Sequence, residues 1–308
     1  MHFAAILFLV AVGATEVRSL ASSSPASSTP PPSRLQLCRQ QQPIGRVTAL
    51  DRTKIDTKVD SEMYNEPRFV THTDDKFIRQ LTDLYESVLV SSLSSSSSSS
   101  SSTITNNENA IVILDIMSSH VSHLPAVSNN NNNHNKLKRV DVHGMNRKEL
   151  EANPARQSTS GKALVRDLNA NPSLLGLCDT NEYDAVFCCV GVQYLEEPEA
   201  VFAEISRVLK PGGTCVISFS NRFFYQKALV GWIERGMNER ARLVTDYFRA
   251  AGGFDQDSIR TIGNGTSALT QLMSVGGVGG DPFVAVVATA SCLDKTTTTT
   301  TTTGNQDS

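Results

Sequence analysis

The sequence predicts an α/β protein built on a doubly wound, mainly parallel sheet. Apolar runs of strand length recur along the chain, and segments with helical spacing separate them. The runs are nearly continuous in Val, Ile, Leu and Cys, which is typical of strands buried on both faces. Strands that alternate with helices favour right-handed βαβ units. The predicted strands are residues 110–117, 138–145, 162–168, 183–192, 213–220 and 282–289.

The clearest predicted helix covers residues 199–209. It follows Pro198, carries apolar residues such as Val201 and Ile205 at helical spacing, and ends before a Lys-Pro-Gly-Gly turn. Similar spacing predicts helices at residues 74–90, 223–235 and 239–251, the last closed by two glycines.

Composition limits the possible functions. The 308 residues carry a formal net charge of -3 and no long basic run, which argues against a nucleic-acid-binding protein. The longest apolar run, residues 3–14, is shorter than the roughly 20 residues of a membrane-spanning helix, so we expect no stable membrane insertion. The six cysteines show no metal-ligand spacing, and no metal site is predicted.

The chain divides into a leader, one folded domain and a tail. Residues 1–20 resemble a signal peptide, and residues 21–55 are transit-peptide-like, with arginines and serines but few acidic residues. Together they predict delivery to a plastid through the secretory route, with secretion or the endomembrane lumen as the alternative. The predicted domain spans residues 56–292. Disordered serine-rich (91–102) and asparagine-rich (129–135) loops interrupt it, and a threonine-rich tail (293–308) follows.

In a doubly wound sheet, ligands bind beyond the carboxyl ends of the strands. The polar residues that end the predicted strands are therefore the first candidates for a site. They are Asp115, Ser118, Asn146, Asp167, Gln193, Tyr194 and Asn221.

Residues 183–220 carry a family signature. They read YDAVFCCVGVQYLEEPEAVFAEISRVLKPGGTCVISFS, with an aromatic-Asp-Ala-Val strand start and an RVLKPGG helix end. This pattern resembles class I S-adenosylmethionine-dependent methyltransferases, specifically the group called methyltransferase type 11. The resemblance implies a Rossmann-like, seven-stranded sheet with an antiparallel C-terminal hairpin, and S-adenosyl-L-methionine as cofactor.

The resemblance also implies cofactor contacts at the first strand end. Asp115 matches the family's acidic residue there, but residues 116–120 replace its glycine-rich loop. We expect Ser118 to cap a following helix whose first amides bind the cofactor carboxylate. A non-glycine residue at positive φ in this loop would cost about 1–2 kcal/mol.

Further contacts are implied at the next strand ends. Gly144, Met145 and Asn146 occupy the turn where the family has a ribose-binding acid, so Asn146 is expected to bind ribose weakly, to cap a helix, or to do both. Met145 is expected on the adenine face. Asp167 matches the residue that accepts a bond from the adenine amino group, with the Leu168 amide nearby. Val190 lies where the fourth strand meets the cofactor.

The predicted function is methyl transfer to a small or medium-sized acceptor. Positioning supplies most of such catalysis. A base is needed only if the acceptor must lose a proton, and the candidates are Tyr194 and His120, the latter expected to share a helix face with His123. Two alternatives remain: a non-catalytic methyltransferase-like binding protein, favoured by the missing glycines, and a nicotinamide oxidoreductase. The methyl acceptor is expected to be a small molecule, and the oligomeric state is open.

Overall fold

The computed structural model describes residues 47–96, 110–125, 136–263 and 280–292. Most of the leader, the asparagine-rich loop, the threonine-rich tail and the serine run after residue 96 lie outside these residues. Seven strands are present: β1 (Ala110–Asp115), β2 (Lys136–Gly144), β3 (Ala163–Val165), β4 (Tyr183–Cys189), β5 (Leu209–Phe219), β6 (Arg260–Gly263) and β7 (Val284–Thr289). The helices are α1 (Asp60–Met63), α2 (Asp75–Ser96), α3 (Arg147–Ala152), α4 (Pro154–Ser158), α5 (Pro198–Val208), α6 (Val230–Ile233) and α7 (Met237–Ala251).

The strands form one sheet in the order β3-β2-β1-β4-β5-β7-β6. The first five are parallel, while β7 runs antiparallel to β5 and to β6. This is the predicted Rossmann-like, seven-stranded sheet with its antiparallel C-terminal hairpin. Strand order reverses between β1 and β4, and that point is where ligands bind in doubly wound sheets.

Helices cover both faces of the sheet, as the apolar strand composition predicts. On one face, Leu114 and Ile217 belong to a core with Phe202 of α5 and Phe248 of α7. On the other face, Ile113 and Phe187 pack with α2 residues, and Tyr85 stacks on Phe187 with ring centroids 3.9 Å apart. The three layers fix the carboxyl ends of β1, β2 and β4 side by side.

The RVLKPGG string forms a helix end and an irregular strand start. Helix α5 ends at Val208, and the chain enters β5 directly at Leu209 instead of at the predicted residue 213. Gly212 has φ +76°, a conformation that side chains disfavour, and the β4–β5 register shifts beside it. The glycine is therefore required by the backbone of the strand.

Two predicted segments differ from the structure. The predicted helix at residues 223–235 is wrong: only Val230–Ile233 is α-helical, because the preceding turns carry Lys227 into buried ion pairs with Asp56 and Asp60. The serine-rich loop does not begin at residue 91, since α2 continues to Ser96. There Ser91 and Ser92 donate hydrogen bonds to carbonyls one turn earlier.

Residues 47–74, here called the N-terminal segment, pack on the domain. Arg52 pairs with Glu199 of α5, and Lys54 pairs with Asp60 at 2.5 Å. The Lys227 ammonium donates to the Lys58 carbonyl. The folded unit therefore begins before the predicted start at residue 56. Within the part of the chain described here, none of the helices has the length and apolarity to span a bilayer.

Candidate functional site

A cavity of about 270 Å³ lies at the carboxyl ends of β1, β2 and β4, where strand order reverses. The N-terminal segment forms one wall with Tyr64, Arg68 and His72. Of the strand-end candidates, Asn221 does not line this cavity and Gln193 does. The residues predicted to bind the cofactor or to act as a base all line it: Asp115, Ser118, His120, Gly144, Met145, Asn146, Asp167, Leu168, Val190 and Tyr194. The fold therefore brings together residues that are far apart in the sequence.

Asp115 ends β1 as a buried carboxyl group, with 4% of its surface exposed. The Ser118 hydroxyl donates to its Oδ2 atom at 2.5 Å. Burial raises the pKa of Asp115 to about 7, although hydrogen bonds from Ser118 and Ser122 oppose the shift. A cofactor ammonium at this strand end would meet an acceptor that is poised between its two protonation states.

The loop after β1 takes a glycine-like conformation at Met117, whose φ is +56°. The strain expected for this loop is therefore present, at about 1–2 kcal/mol. The Ser118 amide donates to the His143 carbonyl at 2.7 Å, which folds the loop over the end of β2.

The helix predicted after this loop is not formed in residues 116–125. Ser118 therefore caps no helix there, and His120 and His123 share no helix face. Contacts from distant residues determine this path: Asn153 donates to the Ser119 carbonyl and to the Ser122 hydroxyl, and Thr82 donates to the His123 carbonyl.

The end of β2 has no room for a side chain at Gly144. A Cβ atom there would lie 2.5 Å from the Ser118 carbonyl oxygen. Bare backbone therefore occupies the first position of the turn, residues 144–146, where the resemblance implies a ribose-binding acid. Asn146 caps α3 by accepting from the Glu149 amide, and its amide nitrogen donates to the carbonyls of Tyr64 and Asn65. Its cap role is confirmed, while its ribose contact stays a prediction with one acceptor lone pair left.

Asp167 lies in the turn after β3. Its Oδ1 atom accepts from the Asn169 amide at 2.9 Å, so one carboxylate oxygen holds the turn. Buried Leu168 and half-buried Met145 line the cavity beside it. Val190 follows β4 at φ +46°, an uncommon value for a β-branched residue. The adenine contacts inferred from the resemblance stay predictions.

Tyr194 closes the cavity from the turn after β4. Its hydroxyl oxygen accepts a bond from the Phe224 amide at 2.9 Å. Burial raises the pKa of Tyr194, while the Phe224 hydrogen bond opposes that shift. A raised pKa makes the phenolate harder to form, which disfavours Tyr194 as a base at neutral pH.

Two buried polar atoms at the cavity have neither a hydrogen-bond nor an ion-pair partner among the described residues: His143 Nε2 and Gln193 Oε1. Burial, aided by the charge of Arg166, lowers the pKa of His143 to about 4, so its ring is neutral at pH 7. Because His143 Nδ1 accepts from the Met117 amide, the ring proton lies on Nε2. The cavity therefore offers one unused donor and one unused acceptor, which fits a polar ligand such as S-adenosylmethionine.

Sequence reasoning missed Glu149, His72 and His143. Glu149 is 7% exposed and accepts from the Arg68 amide and the Ser119 hydroxyl. Burial lowers the pKa of His72 and of His123. The spacing of Asn146 and Glu149 gave a signal for helix capping, but none for their place at the cavity. No cluster of metal-ligand type occurs within the described ranges.

Comparisons with known proteins show what part of the chain is similar to. A family model described as a methyltransferase domain matches residues 114–217. No curated protein matches the chain. Similar solved structures include the [4+2]-cyclase SpnF, at 14% identity and a TM-score of 0.43, with 85% of this chain and 98% of that chain covered.

Two further similar structures are named as methyltransferases. One is geranyl diphosphate C-methyltransferase from Streptomyces coelicolor A3(2), at 13% identity, a TM-score of 0.39, and coverage of 75% of this chain and 96% of that one. The other is a putative sarcosine dimethylglycine methyltransferase from Galdieria sulphuraria, at 12% identity, a TM-score of 0.39, and coverage of 71% and 85%.

The family model thus matches the part of the fold that runs from the end of β1 into β5, and the class it describes is a methyltransferase domain. The class I methyltransferases that the sequence resembles use S-adenosyl-L-methionine as cofactor.

Proposed function

We propose that this protein transfers a methyl group from S-adenosylmethionine to a small molecule bound beneath the N-terminal segment. The observation that carries the proposal is the cavity at the strand-order reversal, with Asp115, Gly144 and Asp167 at three neighbouring strand ends. When bound, the cofactor supplies an activated methyl group. The protein then needs chiefly to hold and align the reactants, and such positioning can supply roughly 7–11 kcal/mol of barrier lowering.

Particular residues would hold the cofactor. Asp115 and the Met117–Ser118 backbone would face its amino-acid part, and Asp167 with Leu168 would face the adenine. The neutral Nε2–H of His143 offers a donor that a bound cofactor could satisfy, since a buried donor without a partner costs about 1–3 kcal/mol. The half-buried Met145 side chain offers an apolar surface for the base.

Isothermal titration with S-adenosylmethionine tests the cofactor contacts. The Asp167→Asn variant keeps an amide oxygen for the turn bond to Asn169 but places a donor where the adenine amino group needs an acceptor. We expect about tenfold weaker binding, the loss of roughly one hydrogen bond. Exposed Asp179→Asn is the matched control and should bind like the parent. Equal affinity of both variants would remove Asp167 from the site.

The second candidate function is non-catalytic binding of the cofactor or a related nucleoside. It is favoured by the glycine-free loop after β1 and by the bare backbone at Gly144, both of which reduce the contacts available to the cofactor. The discriminating measurement is release of S-adenosylhomocysteine during incubation with radiolabelled S-adenosylmethionine and a panel of small hydroxyl and amine compounds. Binding without any product would support this second function.

We also propose that the leader directs the protein to a plastid through the secretory route. The support is the sequence of residues 1–55, an apolar stretch followed by an arginine- and serine-containing stretch. Fusion of these residues to a fluorescent protein in an alga with a secondary plastid tests the proposal. Plastid fluorescence is expected, and fluorescence in the medium would favour secretion.

A further inference from the structure

A chain of three polar side chains ends at the wall of the cavity. The Ser119 hydroxyl donates to Glu149 Oε2 at 2.7 Å. The same Ser119 oxygen lies 3.2 Å from His120 Nδ1. The His120 ring lines the cavity and packs edge-on against Phe69, with ring centroids 5.6 Å apart.

The direction of these bonds fixes the proton on the imidazole. A serine hydroxyl has one proton, and here that proton is directed to the Glu149 carboxylate. The Ser119 oxygen can therefore only accept from His120, so Nδ1 carries the ring proton. In the neutral ring, Nε2 is then the nitrogen with the lone pair, and it is left for a bound molecule.

Contacts on both sides hold the Glu149 carboxylate in place, and this fixes the direction of the hydrogen bonds from His120 to Ser119 and from Ser119 to Glu149. It lies in the first turn of α3, whose cap is Asn146, and its Oε1 atom accepts from the Arg68 amide at 2.6 Å. Both carboxylate oxygens thus accept bonds within a buried environment. The carboxylate joins α3, the loop after β1 and the N-terminal segment.

We propose that His120 is the general base of the reaction and that Ser119 and Glu149 are its positioning residues. The inference rests on the proposed methyl transfer and narrows its acceptor to a molecule whose nucleophilic atom bears a proton, an O–H or N–H group. The acceptor atom forms a bond to the methyl carbon, and the bond from that carbon to sulfur breaks with its electron pair left on sulfur. The acceptor proton passes to His120 Nε2, and from there to solvent.

The charge that develops on His120 is matched by its surroundings. Glu149, reached through Ser119, stabilises the imidazolium. His72 from the N-terminal segment and His123 from the same loop also face this region. Burial lowers the pKa of His123, and it lowers the pKa of His72 although the charge of Glu149 opposes that shift. Arg68, whose guanidinium lies over the Phe224 ring, is a further cation of that wall. Lowered pKa values make His72 and His123 weaker bases, whereas the hydrogen bond between Nδ1 and Ser119 orients His120 as the proton acceptor.

Nitrogen-15 NMR of the imidazole groups, recorded on the protein without cofactor, tests the inference independently of methyl transfer. At alkaline pH, the parent should show the proton on Nδ1 and none on Nε2. Ser119→Ala should shift the population toward the Nε2–H form. Glu149→Gln should shift the same population, because a side-chain amide can donate to the Ser119 oxygen and no longer fixes the direction of its hydroxyl proton.

Ser158→Ala, on the exposed side of α4, is the matched control and should leave the tautomer population unchanged. A parent protein with the proton on Nε2 would overturn the inference, as would a tautomer population that responds to neither Ser119→Ala nor Glu149→Gln. Failure of S-adenosylmethionine to bind in the titration above would instead overturn the proposed function while leaving the tautomer result intact.

Discussion

The carbonyl oxygen of Ser118 occupies the space beside Gly144, 2.5 Å from the position of a Cβ atom at that residue. The loop after β1 and the end of β2 are thus packed backbone against backbone. The two departures from the family pattern, serines in the loop and no acid at the ribose position, are parts of one arrangement. The glycine-free loop after β1 leaves no room for a side chain at residue 144.

This arrangement predicts that an acidic side chain introduced at residue 144 does not add a ribose contact. Gly144→Asp should lower the free energy of unfolding by about 1–3 kcal/mol, the usual cost of an overpacked site, and should weaken S-adenosylmethionine binding. Denaturant unfolding and calorimetric titration measure the two effects. Gly236→Ala is the control, because a Cβ there meets only a side-chain oxygen at 3.8 Å. Tighter binding by Gly144→Asp would contradict the packing argument.

Asp115 and His143 should give opposite pH dependences of stability. Burial raises the pKa of Asp115 from 3.8 to about 7, so its stabilising effect is full below pH 3.8 and is lost as the pH rises toward 7. Burial, with the charge of Arg166, lowers the pKa of His143 from 6.5 to about 4. Its stabilising effect is present above pH 6.5 and is lost as the pH falls toward 4.

The two effects oppose each other between pH 4 and pH 6.5, and single variants separate them. In this window, the unfolding free energy of Asp115→Asn should rise more steeply with pH than that of the parent. The unfolding free energy of His143→Gln should fall with pH relative to the parent. Denaturant melts at several pH values measure these slopes, with exposed Asp179→Asn as the control. Variants whose slopes all match the parent would show that these groups titrate normally.

Lys227 is predicted to hold the N-terminal segment over the cavity. Its side chain is 7% exposed and lies 3.2 Å from both Asp56 and Asp60. Burial opposes its charge, but the hydrogen bonds that its ammonium donates to these carboxylates raise the pKa of Lys227 overall. Lys227→Met should lower the free energy of unfolding by less than the roughly 3–5 kcal/mol of a fully buried pair, because Asp56 is partly exposed and Asp60 keeps Lys54 as a partner.

Limited proteolysis within residues 47–74 provides the second readout for this variant, since a released segment is cleaved faster. Arg249→Met is the control, because the Arg249–Asp246 pair is exposed and such pairs contribute about 0–1 kcal/mol. Unchanged stability and unchanged cleavage of Lys227→Met would show that other contacts hold the segment.

The sheet could be predicted from the sequence because each strand is marked by a continuous apolar run, which is a local feature of the chain. Runs such as residues 185–189 are apolar throughout, and the glycines after Lys210 mark the irregular start of the next strand. The family signature added the antiparallel hairpin, whose β6 strand, Arg260–Gly263, is too short for periodicity to reveal. The strand ends then located the cavity correctly.

The interior of the site depends on contacts between distant residues. Asn153 fixes the backbone of Ser119, and Arg68 binds Glu149 across 81 positions of sequence. The residue pattern of 116–125 carries no sign of these long-range hydrogen bonds. Because the bonds hold the segment as a loop, the expected helix does not form. In the sequence, Glu149 is an ordinary first-turn acid of a capped helix, and only its bond to the Arg68 amide brings it to the wall of the cavity.

The central claim is that the cavity beyond β1, β2 and β4 binds S-adenosylmethionine. A crystal structure of the protein grown with S-adenosylhomocysteine tests it most directly. We expect the adenosyl group between Met145 and Leu168 and the amino-acid part of the ligand beside Asp115. We also expect a hydrogen bond from His143 Nε2 to the ligand. A crystal grown at millimolar ligand with the adenosyl group elsewhere, or with the cavity holding solvent alone, would contradict it.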